Sequence, residues 1–214
     1  MICPQCVGVE KLFDEKYAQR DLKRYLRKGP VKTTRLLIEA IRAVGVKDLS
    51  LLDIGGGIGA IQLELLEAGV SRATDVDAAT AYLKIARAEA ERRGLANRVE
   101  YRSGDFVEEA SDIDPADIVT LDRVICCYHD MPKLVSLSAA KAGKIYGLVY
   151  PRLNVIMRLA RPLINLQFRI KRSPFRFYLH SPAEVDRILR DCGFKRLCES
   201  RTPLWQIVVF VRSE

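Results

Sequence analysis

The chain has 214 residues, 49% of them hydrophobic, 29% charged and 7% aromatic, which excludes a disordered or collagen-like chain and suits one domain with at most a small appendage. No run approaches about 18 uninterrupted apolar residues, and the start, MICPQCVGVEKLF, lacks the charge-then-apolar order of a signal peptide. The net charge of +8 is uneven: nine Lys/Arg against three Asp/Glu lie between residues 11 and 35, and seven Lys/Arg with no acid between 151 and 180.

In chain order, residues 9–29 carry apolar side chains at helical spacing (Leu12, Phe13, Tyr17, Leu22, Tyr25, Leu26) until Gly29-Pro30 interrupts. Residues 31–44 predict a second helix closed near Gly45. From 49 the rhythm changes. Apolar runs at 49–54, 117–121 and 144–150 and β-like segments at 72–76 and 98–102 predict strands, with helices at 58–68, 78–93 and 132–142. The alternation predicts an α/β fold, an open parallel sheet covered by helices. Residues 151–177 break it with an insertion that is apolar and cationic together, in which Pro162 should break or kink a helix. A helix at 182–192, N-capped by Ser181, precedes strands at 195–199 and 205–212 whose short connection predicts an antiparallel pair. The organisation expected is an N-terminal segment with a lid helix over 1–30, then a ligand-binding domain over 31–214 with a basic lid insertion at 151–177. The expected compartment is cytoplasmic, which keeps the six cysteines as thiols.

The sharpest motif is Leu51-Leu52-Asp53-Ile54-Gly55-Gly56-Gly57-Ile58-Gly59-Ala60, closing a strand and opening a helix. Glycines there let the backbone turn tightly and approach a ligand. Gly55-x-Gly57-x-x-Ala60 fits a dinucleotide loop, whereas Asp53-x-Gly55-x-Gly57-x-Gly59 fits an S-adenosylmethionine loop. Asp53 favours the second, because a carboxylate repels a pyrophosphate and attracts an ammonium or sulfonium. Asp77 follows Asp53 at a spacing near the ~20 residues expected of a ribose-binding acid. After the third strand, Asp105 is placed to accept from an adenine amino group while Phe106 packs nearby.

These residues resemble class I S-adenosylmethionine-dependent methyltransferases over roughly 31–212, through DIGGGIG (53–59), TDVD (74–77), GDF (104–106), VTLDRV (119–124) and the final strand pair. The resemblance implies a Rossmann-like seven-stranded sheet, mostly parallel with the last strand antiparallel and helices on both faces, over 31–214. It implies S-adenosylmethionine as cofactor, with Asp53, Gly55 and Gly57 by the methionine portion, Asp77 on the ribose hydroxyls and Asp105-Phe106 around adenine. It also implies Asp122 beside the cofactor's amino acid part, and Tyr25 reaching the cofactor carboxylate from the lid helix. LDRVICCYHDM (121–131), FYLHSPAEV (177–185) and the basic lid are similar to the magnesium-protoporphyrin O-methyltransferase branch and related bacterial small-molecule methyltransferases.

Methyl transfer to oxygen or nitrogen rests on positioning and can use a base. Tyr128 and His129, after the fourth strand, are the catalytic candidates, His129 alternatively capping the next helix; His180 is read as structural. Cys126-Cys127 read as core thiols. Cys3-x-x-Cys6 has the spacing of half a zinc site without a second pair nearby, so no metal is expected. The expected activity is methyl transfer to a small or medium-sized acceptor, an acidic or apolar molecule methylated at oxygen, with the basic segments enclosing it. Residues 151–177 alternatively lie on a membrane surface. The rival readings are a nucleic-acid methyltransferase, disfavoured because no Asn/Asp-Pro-Pro-aromatic element is present, and a non-catalytic binding protein on the same fold. No motif specifies the acceptor or the oligomeric state.

Overall fold

A computed structural model describes residues 4–213. Cys3, half of the Cys3-x-x-Cys6 pair, lies outside the described residues. In chain order the elements are α1 (Pro4–Leu12), α2 (Glu15–Lys28), α3 (Lys32–Val44), β1 (Ser50–Ile54), α4 (Ala60–Glu67), β2 (Arg72–Asp77), α5 (Thr80–Arg92) and β3 (Val99–Ser103). There follow α6 (Phe106–Glu109), β4 (Ala116–Asp122), α7 (Met131–Lys141), β5 (Ala142–Pro151), α8 (Val155–Ile170), α9 (Pro182–Asp191), β6 (Phe194–Arg201) and β7 (Trp205–Arg212).

The strands form one seven-stranded sheet in the order β3-β2-β1-β4-β5-β7-β6. Strands β1 to β5 pair in parallel, and β7 runs antiparallel between β5 and β6. Burial on both faces explains why the central strands β1, β4 and β5 read as mostly apolar segments. The chain moves outward from β1 to β3 and returns through β4 on the other side. The ligand crevice of such a sheet lies at that reversal, beyond the carboxyl ends of β1 and β4.

Alternation along the strands feeds two cores. Leu51, Ile118, Ile145, Val149 and Val209 face Leu37, Ile41, Ile61 and Leu65 of α3 and α4. Leu52, Val119, Leu121, Tyr146, Leu148 and Phe210 face Leu134, Val135, Val185 and Leu189 of α7 and α9. A third cluster joins Ala18 and Tyr25 of α2 to Ile58, Leu63, Tyr82 and Ile85.

The single helix expected over 9–29 is two. Asp14 ends α1 and N-caps α2, its carboxylate accepting from Tyr17 N at 2.9 Å. Both helices dock on α5 through polar contacts. Glu10 accepts from Thr80 N (2.8 Å), supplying the cap that Ala79 lacks, and Asp21 accepts from Tyr82 Oη (2.8 Å). The break expected at Pro162 does not occur. Helix α8 runs through it as one element, with Pro162 on an exposed position where water can take the Arg158 carbonyl. Asp130, not His129, caps α7, accepting from Lys133 N at 3.1 Å.

Candidate active site

The crevice is a cleft of about 410 Å³, within the ~300–1,000 Å³ usual for small-molecule sites. Its floor is the turn from β1 into α4. Gly55 and Gly57 there hold φ of 66° and 59°, in the left-handed region that favours glycine. A Cβ on Gly56 would sit 2.5 Å from Asp75 Oδ1, so that residue must be small for a different reason, close approach to a carboxyl.

Asp53, Thr120 and Asp75 share one row across β4, β1 and β2. Asp53 Oδ1 accepts from Thr120 Oγ1 at 2.7 Å, while the buried Oδ2 has no hydrogen-bond partner. Asp75 accepts from Gln62 Nε2 of α4 at 2.7 Å. Burial pushes both carboxyls up from the usual carboxylate range; charge repulsion from Asp53 and Asp77 adds to this at Asp75, and from Asp122 and Asp77 at Asp53. Asp53 lines the cleft and Asp75 does not, so Asp75 serves the loop from behind.

Asp77 lines the cleft at the end of β2. Its Oδ2 accepts from Gly57 N at 3.0 Å and its Oδ1 from Ala79 N at 2.8 Å, while burial pushes its carboxyl up to about 6. Asp105 N-caps α6 through Val107 N (2.9 Å) and accepts from Tyr128 Oη at 3.0 Å, and Phe106 is buried beside it. Asp122, at the end of β4, accepts from Thr34 Oγ1 of α3 and pairs with Arg123 at 3.0 Å. All of these, with Gly55, Gly57, Tyr25 and Tyr128, line the same cleft.

The remaining expected site residues take other positions. The Tyr25 ring lines the cleft, but its hydroxyl donates to Glu64 Oε1 at 2.7 Å and accepts from Arg93 at 3.0 Å. His129 is exposed and absent from the cleft lining, its ring 5.1 Å from that of Tyr128. His180 Nε2 meets the Ile125 carbonyl at 2.8 Å, and burial lowers its pKa, as suits a structural histidine. Cys126 and Cys127 hold their sulfurs 3.8 Å apart, the first buried and the second on the cleft wall. Among the described residues no group of three or more His, Cys, Asp or Glu could hold a metal ion.

No residue of 151–177 lines the cleft, so the arginines there have another origin. Arg20 and Arg24, one turn apart on α2, stand exposed at its mouth, and Arg123, at φ 64°, turns in after β4. Sequence reading assigned the basic segment that holds Arg20 and Arg24 to the acceptor but singled out none of the three. The signal was the i, i+4 spacing of Arg20 and Arg24 on the face that carries Tyr17 and Asp21. Gln5 of α1 closes the cover, donating to the carbonyls of Cys127 and Arg176 (3.0 Å to the latter).

The glycine loop and the acidic strand ends fit S-adenosylmethionine. Asp53 offers an unpartnered buried oxygen for a cationic group, Asp77 an acceptor for a diol, and Phe106 an apolar surface beside Asp105 for a base.

A family model described as a methyltransferase domain matches residues 51–141. Ribosomal protein L11 methyltransferase of Psychrobacter sp. (strain PRwf-1) is 28% identical over 142 residues, covering 64% of this chain and 46% of that protein. The matches span under half the length of the curated relatives. Among solved structures, magnesium protoporphyrin IX methyltransferase from Synechocystis PCC 6803 with bound S-adenosylhomocysteine has a TM-score of 0.75 at 20% identity, covering 96% of this chain and 98% of that one. An O-methyltransferase family 2 protein from Planctomyces limnophilus DSM 3776, in complex with apigenin, has a TM-score of 0.66 at 20% identity, covering 92% of this chain and 61% of that one. The methyltransferase-domain match covers the glycine loop and the strands beside it, and the likeness in fold to solved S-adenosylmethionine-dependent methyltransferases extends over nearly the whole chain.

Proposed function

We propose that the protein transfers the methyl group of S-adenosylmethionine to a carboxylate oxygen of a small, largely apolar acceptor. The observation that carries this reading is the cleft mouth, where Arg20, Arg24 and Arg123 stand beside the apolar side chains of Val9, Phe13 and Tyr17. That pairing suits a molecule with an apolar body and an anionic end.

S-adenosylmethionine supplies a methyl group on a sulfonium, a centre whose in-line displacement depends chiefly on positioning. The chain's own residues do the positioning. Asp53 and Asp122 face the amino acid end, Asp77 takes the ribose hydroxyls, and Asp105 with Phe106 takes the adenine. Tyr128, tethered to Asp105, holds the acceptor side of the wall. The Tyr25 ring closes the other wall while its hydroxyl stays on Glu64. A carboxylate acceptor is already ionised at neutral pH and needs no base. This agrees with the exposed position of His129, to which no proton step is assigned.

The test is transfer from methyl-labelled S-adenosylmethionine to a panel of aryl and alkyl carboxylates, together with their alcohols. Label that alkali releases as methanol marks an ester and is the expected product. Alkali-stable label, or transfer to the alcohols alone, overturns the carboxylate assignment. Absence of S-adenosylhomocysteine binding by calorimetry overturns the cofactor assignment.

A further inference from the structure

Helix α8 has two apolar sides, and only one meets the protein. Its inner side buries Met157 and packs Phe168 on Phe175, ring centroids 4.7 Å apart. Phe175 in turn lies 6.5 Å from Phe13 on the cleft cover, and Asn165 ties the helix to Phe177 through both its amide N (2.9 Å) and O (2.8 Å). The outer side is a stripe of Val155, Ile156, Leu159, Leu163, Leu166 and Ile170, each between 49% and 74% exposed. Their spacings of three and four residues keep them on one arc of the helix, with no polar residue inside it. Large aliphatic side chains in an unbroken exposed stripe are unusual in a soluble face and mark an interaction surface.

The charge beside the stripe identifies the partner. Arg158 and Arg169 run along one flank of that stripe, both exposed. Residues 151–180 hold seven Lys/Arg and no acid. We propose that α8 docks the protein on an anionic lipid bilayer, lying in the headgroup plane with its aliphatic stripe turned into the acyl boundary. Arginine stems pack along apolar surface while their guanidiniums reach phosphates, the arrangement such helices use. The helix lies on the bilayer and does not cross it: its 16 residues reach only about 24 Å against a ~30 Å hydrocarbon core. Among the described residues no helix is long and apolar enough to span. A second copy of the chain is a poorer occupant, since a two-fold contact through this face would bring two cationic segments together.

The proposal does not depend on methyl transfer and is tested without it. The full chain is floated with vesicles of phosphatidylcholine alone and of phosphatidylcholine with an equal part of phosphatidylglycerol, at low and high salt. The protein should float with the anionic vesicles and do so less at high salt. Leu159→Ser/Leu163→Ser and Arg158→Gln/Arg169→Gln should each lower partitioning at least about tenfold. Ile170→Asn, at the last position of the helix, replaces the first pair if near-UV circular dichroism shows that it does not fold. No flotation with either vesicle overturns the proposal. So does equal flotation with both, or a concentration-dependent dimer that Leu159→Ser/Leu163→Ser abolishes while vesicles are ignored.

Discussion

Replacing Asp77 by alanine separates what the carboxylate does for the fold from what it does for the ligand. In the folded chain it accepts two backbone N–H bonds, from Gly57 and Ala79. Bonds to a charged group are each worth about 1.5–3 kcal/mol, so their loss costs about 3–6 kcal/mol. Against this stands the burial of the charge. Burial outweighs those two bonds and leaves the carboxyl at about 6 instead of 3.8, so, with the bonds included, keeping it ionised in the fold costs about 3 kcal/mol at pH 7. The sign of the pH dependence follows. Between 3.8 and about 6 the folded group holds a proton that the unfolded one has lost, so its contribution to stability falls as pH rises through that window. Relief on removing it is therefore about 1–2 kcal/mol at pH 5 and about 3 kcal/mol at pH 7, and the variant should lose more stability at pH 5. Urea titrations of both proteins at the two pH values measure this. For the ligand, losing a charge-assisted contact to the ribose diol is worth about 3 kcal/mol, or about a hundredfold in Kd. Calorimetric titration with S-adenosylhomocysteine reads it directly. A Kd within threefold of the parent would refute the ribose assignment, and equal destabilisation at pH 5 and 7 would refute the charge argument.

The other predictions are simpler. Gly56→Ala places a Cβ 2.5 Å from Asp75 Oδ1 and should cost about 1–3 kcal/mol while weakening S-adenosylhomocysteine binding; a Tm and a Kd like the parent's would show that the loop yields freely. Tyr25→Phe removes the hydroxyl that donates to Glu64 and should lower stability by about 1 kcal/mol in urea titrations with little change in ligand affinity. A tenfold weaker Kd would return that hydroxyl to the cofactor. Arg20→Gln/Arg24→Gln should raise KM for a carboxylate acceptor at least about tenfold with the cofactor Kd unchanged, and an unaltered KM would remove both from the acceptor site. His129→Ala should leave kcat within about twofold of the parent, a larger fall requiring the side chain to swing into the cleft.

The legible part of this protein was the part whose physics is local. A glycine loop between an apolar strand and a helix needs positive φ at fixed positions, and Gly55 and Gly57 supply it within three residues. The acids at the ends of β2 and β3 and at the end of β4 were readable because parallel strands point their carboxyl ends to one side of the sheet. Strand β7 was readable to the residue, since its apolar run and the short turn before it are both local signals.

Tertiary structure decided what depends on partners far apart in the chain. Tyr25 was expected to point its hydroxyl at the cofactor, and Glu64, 39 residues away, captures it. Both basic segments were expected to enclose the acceptor, yet of the two only α2 brings arginines to the cleft, because Glu10 and Asp21 anchor the N-terminal helices on α5. The amphipathic character of α8 was visible in the sequence, but which of its two apolar sides the fold would cover was not. The contacts of Met157, Asn165 and Phe168 settle that, and they leave the aliphatic stripe outside. Backbone conformation and strand polarity are set within a few residues by sterics and hydrogen bonding, whereas the docking of one helix on another is a competition among distant surfaces that no short window of sequence contains.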